Sequence, residues 1–328
     1  MNDMTTDNRM RVFVAGATGA VGRPLVKKLV AAGHDVTGMT RSASKAGQLE
    51  AAGARAVVAD ALDARAVGDA AALARPEVVI NQLTDLTSIG DNLRRFDHYF
   101  EVTNRLRTEG NDNLMSAAVA AGARRFIAQS FTGWPYAREG ALVKTEDDRL
   151  DPHPPKGLRA THAAISRLES TTATATEIEG LVLRYCFFYG PGTSIGPDAG
   201  ADQIEAVRRR RLPIVGGGEG IWSFTHVDDA ASAAVAALQR GTPGLYNVVD
   251  DEPAPVHQWL PALADAAGAP APRRVPRWLG AVAGGPVAVA MMCEIRGASN
   301  AKAKRELGWS PAWPSWRRGF PAVLAGGS

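Results

Sequence analysis

Residues 12–22 read Val-Phe-Val-Ala-Gly-Ala-Thr-Gly-Ala-Val-Gly, a short apolar run that enters glycines at 16, 19 and 22. That spacing builds a phosphate site from main chain alone. Gly16 permits the tight turn, Gly19 has no Cβ to hold off a pyrophosphate, and Gly22 lets the next helix sit close to the strand. Thr18, Ala20 and Val21 belong to the same loop, and the helix expected over 20–32 aims its first N–H groups at the phosphates. A second run ends Thr40-Arg41-Ser42. An acidic residue there would accept from a ribose 2′-hydroxyl, whereas Arg41 with Ser42, assisted by Lys45 and Arg23, suits a 2′-phosphate. The coenzyme expected is NADP(H), with NAD(H) the alternative. Asp60, at the end of a third run, can accept from an adenine amino group, with Ala61 beside it, and Asp63 suits a helix N-cap.

These residues need a scaffold, and the chain supplies one. Strand-like runs at 11–15, 35–39, 55–59, 77–81, 125–129 and 180–185 alternate with Ala/Leu/Val-rich segments of helical spacing. Such alternation implies an α/β fold, a doubly wound parallel sheet of Rossmann type. A long helix is expected over 91–121, with Phe96, Leu106, Leu114, Ala117 and Ala118 inward, and a surface loop over 146–158. After 185 the rhythm changes to Gly/Pro loops, a short strand at 213–215, a helix at 228–239 and a strand at 245–249. The division expected is a coenzyme domain over 1–185 and a smaller, mainly substrate-binding domain over 186–328. Helix 228–239 and strand 245–249 fit either.

Bulk composition excludes several classes. The chain has 328 residues, 45% of them hydrophobic, and a net charge of only +3. The basic run Arg208–Arg211 lacks interleaved aromatics and reads as a solvated helix end, so no nucleic-acid partner is expected. Cys186 and Cys293 stand in apolar contexts without metal-ligand spacing, which implies reduced thiols and no metal. His226-Val-Asp228-Asp229 follows a strand and opens a helix, where Asp228 suits an N-cap and His226 a packed side chain. The first ten residues are polar. The apolar stretch 278–293 is broken by Gly280, Gly284, Gly285 and Pro286, so a lid or a buried helix pair is expected rather than a membrane span. A cytoplasmic protein follows from these features.

The chain resembles the extended short-chain dehydrogenase/reductase superfamily, the one with nucleotide-sugar epimerases and dehydratases. The resemblance rests on the glycine loop, Asp60, Gly110 and Asn113, Leu183-Arg184 followed by Tyr189-Gly-Pro-Gly192, Phe224-Thr-His-Val-Asp-Asp229, and the tail from Ser299 to Pro311. It implies a nicotinamide laid across the sheet edge near 187–191, so Phe187, Phe188 and Leu83 join the coenzyme set. It also implies Tyr-x-x-x-Lys followed four residues later by Glu: the Tyr works on a substrate proton while the Lys lowers the Tyr pKa and holds the nicotinamide ribose. Counting back from Glu169, those positions are Thr161 and Ile165. His162 and Lys144 lie nearby, His162 about a hundred degrees round the helix. In the serine motif, Phe131 falls where a catalytic Ser would stand, flanked by Ser130 and Thr132. Trp222 stands where an Arg would grip a nucleotide-sugar pyrophosphate.

Without the Tyr, the groups that can stabilise a developing oxyanion are the hydroxyls of Ser130, Thr132 and Tyr136. Trp134, Tyr136, Tyr189 and Trp222 form an expected aromatic substrate wall, the alternative being that they are core. The reading is an NADPH-dependent reductase of a carbonyl on an apolar or aromatic small molecule, with an atypical site. The alternatives are a nucleotide-sugar epimerase or dehydratase, and a non-catalytic NADP(H)-binding sensor or scaffold. A homodimer through 91–121 and 160–176 is expected by analogy.

Overall fold

The computed structural model describes residues 9–86, 93–198 and 201–326. A seven-stranded, all-parallel sheet carries the molecule. Its strands are β1 (Arg11–Ala15), β2 (Asp35–Thr40), β3 (Arg55–Val58), β4 (Val78–Asn81), β5 (Arg125–Phe131), β6 (Glu179–Tyr185) and, after a long excursion, a last strand at Gly244–Asn247. Starting from that last strand the order is β6, β5, β4, β1, β2, β3, so the direction of winding reverses beside β1. Parallel strands force crossover helices. Helix α1 (Gly22–Ala31) packs with α5 (Val227–Ala236) on one face. On the other, α2 (Ala64–Ala74) packs with α3 (Asn111–Ala120), beside α4 (Arg159–Ala173).

Alternation along β1 serves both faces. Val12 and Val14 join Leu25, Val26, Leu29 and Ala230 in one core. Phe13 and Ala15 join Val67, Leu114 and Phe126 in the other. A third core joins the segments after β6 to Phe96, Phe100, Trp134, Leu158 and Ile165. Trp259, Trp316, Phe224 and Phe320 fill it, each at most 1% exposed. Full burial of a side chain of this kind is worth about 1.5–3 kcal/mol, so these aromatics hold the segments after β6 together. The chain then returns to the main sheet, where Gly244–Asn247 pairs with β6 in the register Gly244↔Leu181. Both this strand and α5 therefore lie with the central sheet, beyond the expected boundary at 185.

The segment expected as one long helix is broken into helical turns over Phe96–Tyr99 and Glu101–Arg105, a π turn over Leu106–Gly110, and α3. The apolar stretch near the C-terminus forms α6 (Arg277–Val289), interrupted at Gly285 (φ 73°), and a π turn over Ala290–Glu294. Its first half is outward, with Trp278 67% exposed, while Val287 to Met292 are buried. Arg94 donates to the carbonyls of Ala281, Val282 and Ala283, closing the end of that first half. Among the described residues no helix is long and apolar enough to cross a membrane, and no group of His, Cys, Asp or Glu could hold a metal ion.

Candidate active site

The glycine loop joins β1 to α1 at the carboxyl edge of the sheet. Gly16 has φ +79°, and a Cβ there would stand 2.6 Å from the carbonyl oxygen of Gln82. A Cβ on Gly22 would stand 2.1 Å from the carbonyl oxygen of Gly16, so both sites exclude side chains. Gly19 differs: only the Gly16 carbonyl oxygen, at 3.3 Å, would lie near a Cβ, and its outer face is exposed. No side chain caps α1 and its first turn holds no acid. The N-terminus of α1 and the uncovered Gly19 fit a dinucleotide diphosphate by both charge and space.

The other expected coenzyme residues stand at or just after the ends of the neighbouring strands. Thr18 Oγ1 lies 3.4 Å from Thr40 Oγ1, and Ser42 Oγ lies 2.7 Å from Ser44 Oγ. Half-exposed Arg41 donates through Nη2 to Asp85 Oδ2 at 3.0 Å, bridging the ends of β2 and β4. Asp60 accepts from the Leu62 N–H at 3.0 Å and is exposed, Ala61 beneath it is buried, and Leu83 is half-buried. Asp63 caps α2 by accepting from Arg65 and Ala66. In contrast, α5 is capped by His226, whose Nδ1 accepts from the Asp228 N–H at 3.1 Å, and not by Asp228 itself.

Phe187 and Phe188 sit on a short strand, β7 (Phe187–Tyr189), paired in parallel with β9 (Phe224–His226) across from β8 (Ile221–Trp222). Successive side chains on a strand point to opposite faces. Phe188 lies 5.4 Å from Tyr185, on the side of α1, while Phe187 stacks on Trp222 with ring centroids 3.6 Å apart.

The expected substrate wall is mostly interior. Trp222 is 6% exposed and donates through Nε1 to the carbonyl of Met291. Trp134 packs edge-on to Phe96. Tyr189 packs against His226 and Phe320, away from the glycine loop, and Gly319 leaves room for its ring. The aromatic faces that remain half-open are Phe131, at the end of β5, and Phe187, in an edge-to-face pair 5.4 Å apart.

The candidate hydroxyls divide sharply. Ser130 Oγ donates to Glu169 Oε1 at 2.7 Å. Tyr136 donates to Asn247 Oδ1 at 3.0 Å and accepts from Arg184 Nη1 at 2.9 Å, and burial pushes its pKa up despite the nearby Arg184 charge. Thr132 lies beside Tyr136, but its own buried Oγ1 makes no hydrogen bond of good geometry. On α4, Thr161 gives its hydroxyl proton to Asp97 Oδ1 at 2.7 Å and accepts from Asn104 Nδ2 at 3.1 Å. Asp97 also takes the N–H groups of Ala160 and Thr161, so Thr161 is a fixed part of the helix start. Ile165, one turn on, is wholly buried among apolar neighbours. His162 is bound to the Pro135 carbonyl, and Lys144 to Glu139 and Asp148. Cys186 is buried, its thiol pKa pushed up to about 12 by desolvation, which makes it inert.

Sequence reasoning did not reach Arg107, a buried guanidinium in the π turn, nor Asp97 as the partner of Thr161.

Comparisons with known proteins bear on the family and the fold. The family model described as "NAD dependent epimerase/dehydratase family" matches residues 12–248. A Streptomyces protein named 3-diazoavenalumate denitrifying reductase is 46% identical over 312 residues, covering 95% of this chain and 99% of its own. The structure of UDP-glucose 4-epimerase from Thermus thermophilus in complex with NAD has a TM-score of 0.72 at 23% identity, over 97% of this chain and 99% of its own. A human epimerase family protein solved with NADPH has a TM-score of 0.72 at 18% identity, over 96% and 99%.

Proposed function

The chain belongs to the NAD-dependent epimerase/dehydratase family and is an oxidoreductase of it, and from that premise we propose that it is an NADPH-dependent reductase of an aromatic diazo compound. The observation that carries this is the missing acid. The hydroxyl proton of Thr161 is committed to Asp97, and Ile165 has no polar group. Reducing a carbonyl leaves an oxyanion that needs a proton, and general acid help is worth about 10²–10⁴-fold. Reducing an aromatic diazo carbon needs none there. The carbon–nitrogen bond breaks, a carbon–hydrogen bond forms with the delivered hydride, and nitrogen departs as N₂.

When bound, the coenzyme supplies the hydride. The chain's own part is to hold and orient. The first turn of α1 takes the diphosphate, Arg41 with Ser42 takes a 2′-phosphate, and Phe131 with Phe187 offers faces against which an aromatic ring stacks. The name of the Streptomyces relative supports the choice of a diazo substrate and loss of nitrogen.

A second reading, reduction of a carbonyl, has one observation in its favour: the uncommitted hydroxyl of Thr132. The test is to supply NADPH deuterated at the transferred position with a carboxylated arenediazonium, with a panel of aryl ketones, and with a UDP-sugar. The expected result is N₂ release and one deuterium on the arene. Turnover of ketones alone establishes the second reading, and sugar isomerisation without net NADPH consumption overturns both.

A further inference from the structure

We propose that Arg107 is a specificity-determining residue for the redox state of the coenzyme: its incompletely matched positive charge disfavours the cationic oxidised nicotinamide ring and so selects NADPH over NADP⁺. This rests on the reading of the chain as a nicotinamide-dependent reductase.

The charge balance comes first. Arg107 is 6% exposed, and its buried Nη1 has no hydrogen-bond partner among the described residues. Burial brings its pKa down to about 10, so the guanidinium stays charged at neutral pH, with Glu169 the anion that holds the proton on. Glu169 is already spoken for. Its Oε1 accepts from Arg184 Nε at 2.8 Å and from Ser130 at 2.7 Å, and its Oε2 accepts from Arg184 Nη2 at 2.6 Å. Two arginines thus draw on Glu169, the one anion that acts on Arg107 among the described residues, so the charge of Arg107 is incompletely matched. A buried, incompletely matched charge is destabilising, so its retention needs a ligand to explain it.

Position comes second. Thr103 exchanges hydrogen bonds with the backbone of Asp85, four residues beyond the end of β4. Asn111 accepts from Asn81, the last residue of β4. Arg107 lies midway between Thr103 and Asn111 along this helical segment, whose two ends are thus tied to residues 81–85. Glu169 acts on it from α4 and is itself bonded by Ser130 of β5. In an open α/β sheet the ligand occupies the crevice outside these carboxyl ends. The guanidinium lies 5.8 Å from the ring centroid of Phe100, seven residues earlier, between the turns Phe96–Tyr99 and Glu101–Arg105. Arg107 belongs to the π turn Leu106–Gly110, a feature frequent at functional sites.

The consequence is electrostatic. The reduced ring is neutral and the oxidised ring carries a positive charge. Like charges close together in a low-dielectric interior repel appreciably. The incompletely matched charge penalises only the oxidised form.

The experiment is equilibrium titration of the full chain with NADPH and separately with NADP⁺, for the wild type, Arg107→Lys, Arg107→Met and Arg107→Gln. The wild type is expected to hold NADPH at least tenfold more tightly than NADP⁺. Arg107→Lys should keep that ratio within about threefold. Arg107→Met and Arg107→Gln, either of which suffices if the other does not fold, should bring the two affinities within threefold of each other, chiefly by tightening NADP⁺. An unchanged ratio in the neutral variants overturns the proposal, as does a wild type with no preference. A wild type that binds neither coenzyme overturns the underlying coenzyme reading, a visibly different outcome.

Discussion

Glu169 and Arg184 form a two-point ion pair in the interior, Nε to Oε1 at 2.8 Å and Nη2 to Oε2 at 2.6 Å, with side chains 5% and 3% exposed. The pair ties α4 to β6. Through Ser130 and Tyr136 it reaches β5 and the loop after it. Removing one partner strands the other charge, which costs about 3–5 kcal/mol in such pairs. Glu169→Gln should therefore lower unfolding free energy by that amount in urea titrations. Glu169→Leu combined with Arg184→Met should recover only part of the loss, because the apolar pair carries no desolvation cost but leaves Arg107 without its anion. A single-variant loss below about 1 kcal/mol would contradict the assignment.

Tyr136 and Thr132 separate in the same assay. Tyr136 is fully enclosed, hydrogen-bonded on both sides, and made less acidic by burial. Its hydroxyl is structural, so Tyr136→Phe should cost stability of about 1 kcal/mol for the lost hydrogen bonds and leave kcat within a fewfold of wild type. Thr132→Val should leave diazo reduction unchanged. If the carbonyl reading is right instead, Thr132→Val should lower kcat by about 10²-fold or more. Steady-state kinetics of both variants decide between the two.

The glycine loop was readable because each glycine answers a steric demand that no other residue meets, and the structure shows those demands at Gly16 and Gly22. The sheet was readable because its strands repeat one apolar rhythm. The aromatic wall was harder. Trp222 and Trp134 look alike whether they face a ligand or a core, and only the packing of the later segments shows them turned inward. Arg107 left no trace in the sequence. A lone arginine in a helical pattern reads as a solvent-facing charge, and the π turn that contains it has no simple residue signature.

Arg41 now pairs with Asp85 at 3.0 Å while remaining half-exposed, so a 2′-phosphate would have to compete with that carboxylate for the guanidinium. Two substitutions should move coenzyme preference in opposite directions. Arg41→Ala should lower kcat/KM for NADPH by at least tenfold and leave NADH nearly unchanged, since only the phosphate loses a charge-assisted contact. Asp85→Asn should raise kcat/KM for NADPH by freeing the arginine. Equal effects on both coenzymes in Arg41→Ala would remove Arg41 from the 2′-phosphate site.

His226 makes folding sensitive to acid in a predictable direction. Its Nδ1 accepts the Asp228 N–H that starts α5, which only the unprotonated nitrogen can do, and burial lowers its pKa. The unfolded chain, with a histidine pKa of about 6.5, then binds a proton that the folded chain resists. The stabilisation is complete above that value and is lost as pH falls below it, toward the lower folded pKa, by up to about 1.4 kcal/mol per pH unit. Asp229 and Asp250 run the other way, since burial raises both and acid favours their folded forms. The histidine contribution must therefore be read as a difference. His226→Asn keeps an acceptor at the cap and removes the titration. The gap in unfolding free energy between wild type and this variant should shift against the wild type between pH 7 and pH 5, and curves that stay parallel would show that His226 titrates alike in both states.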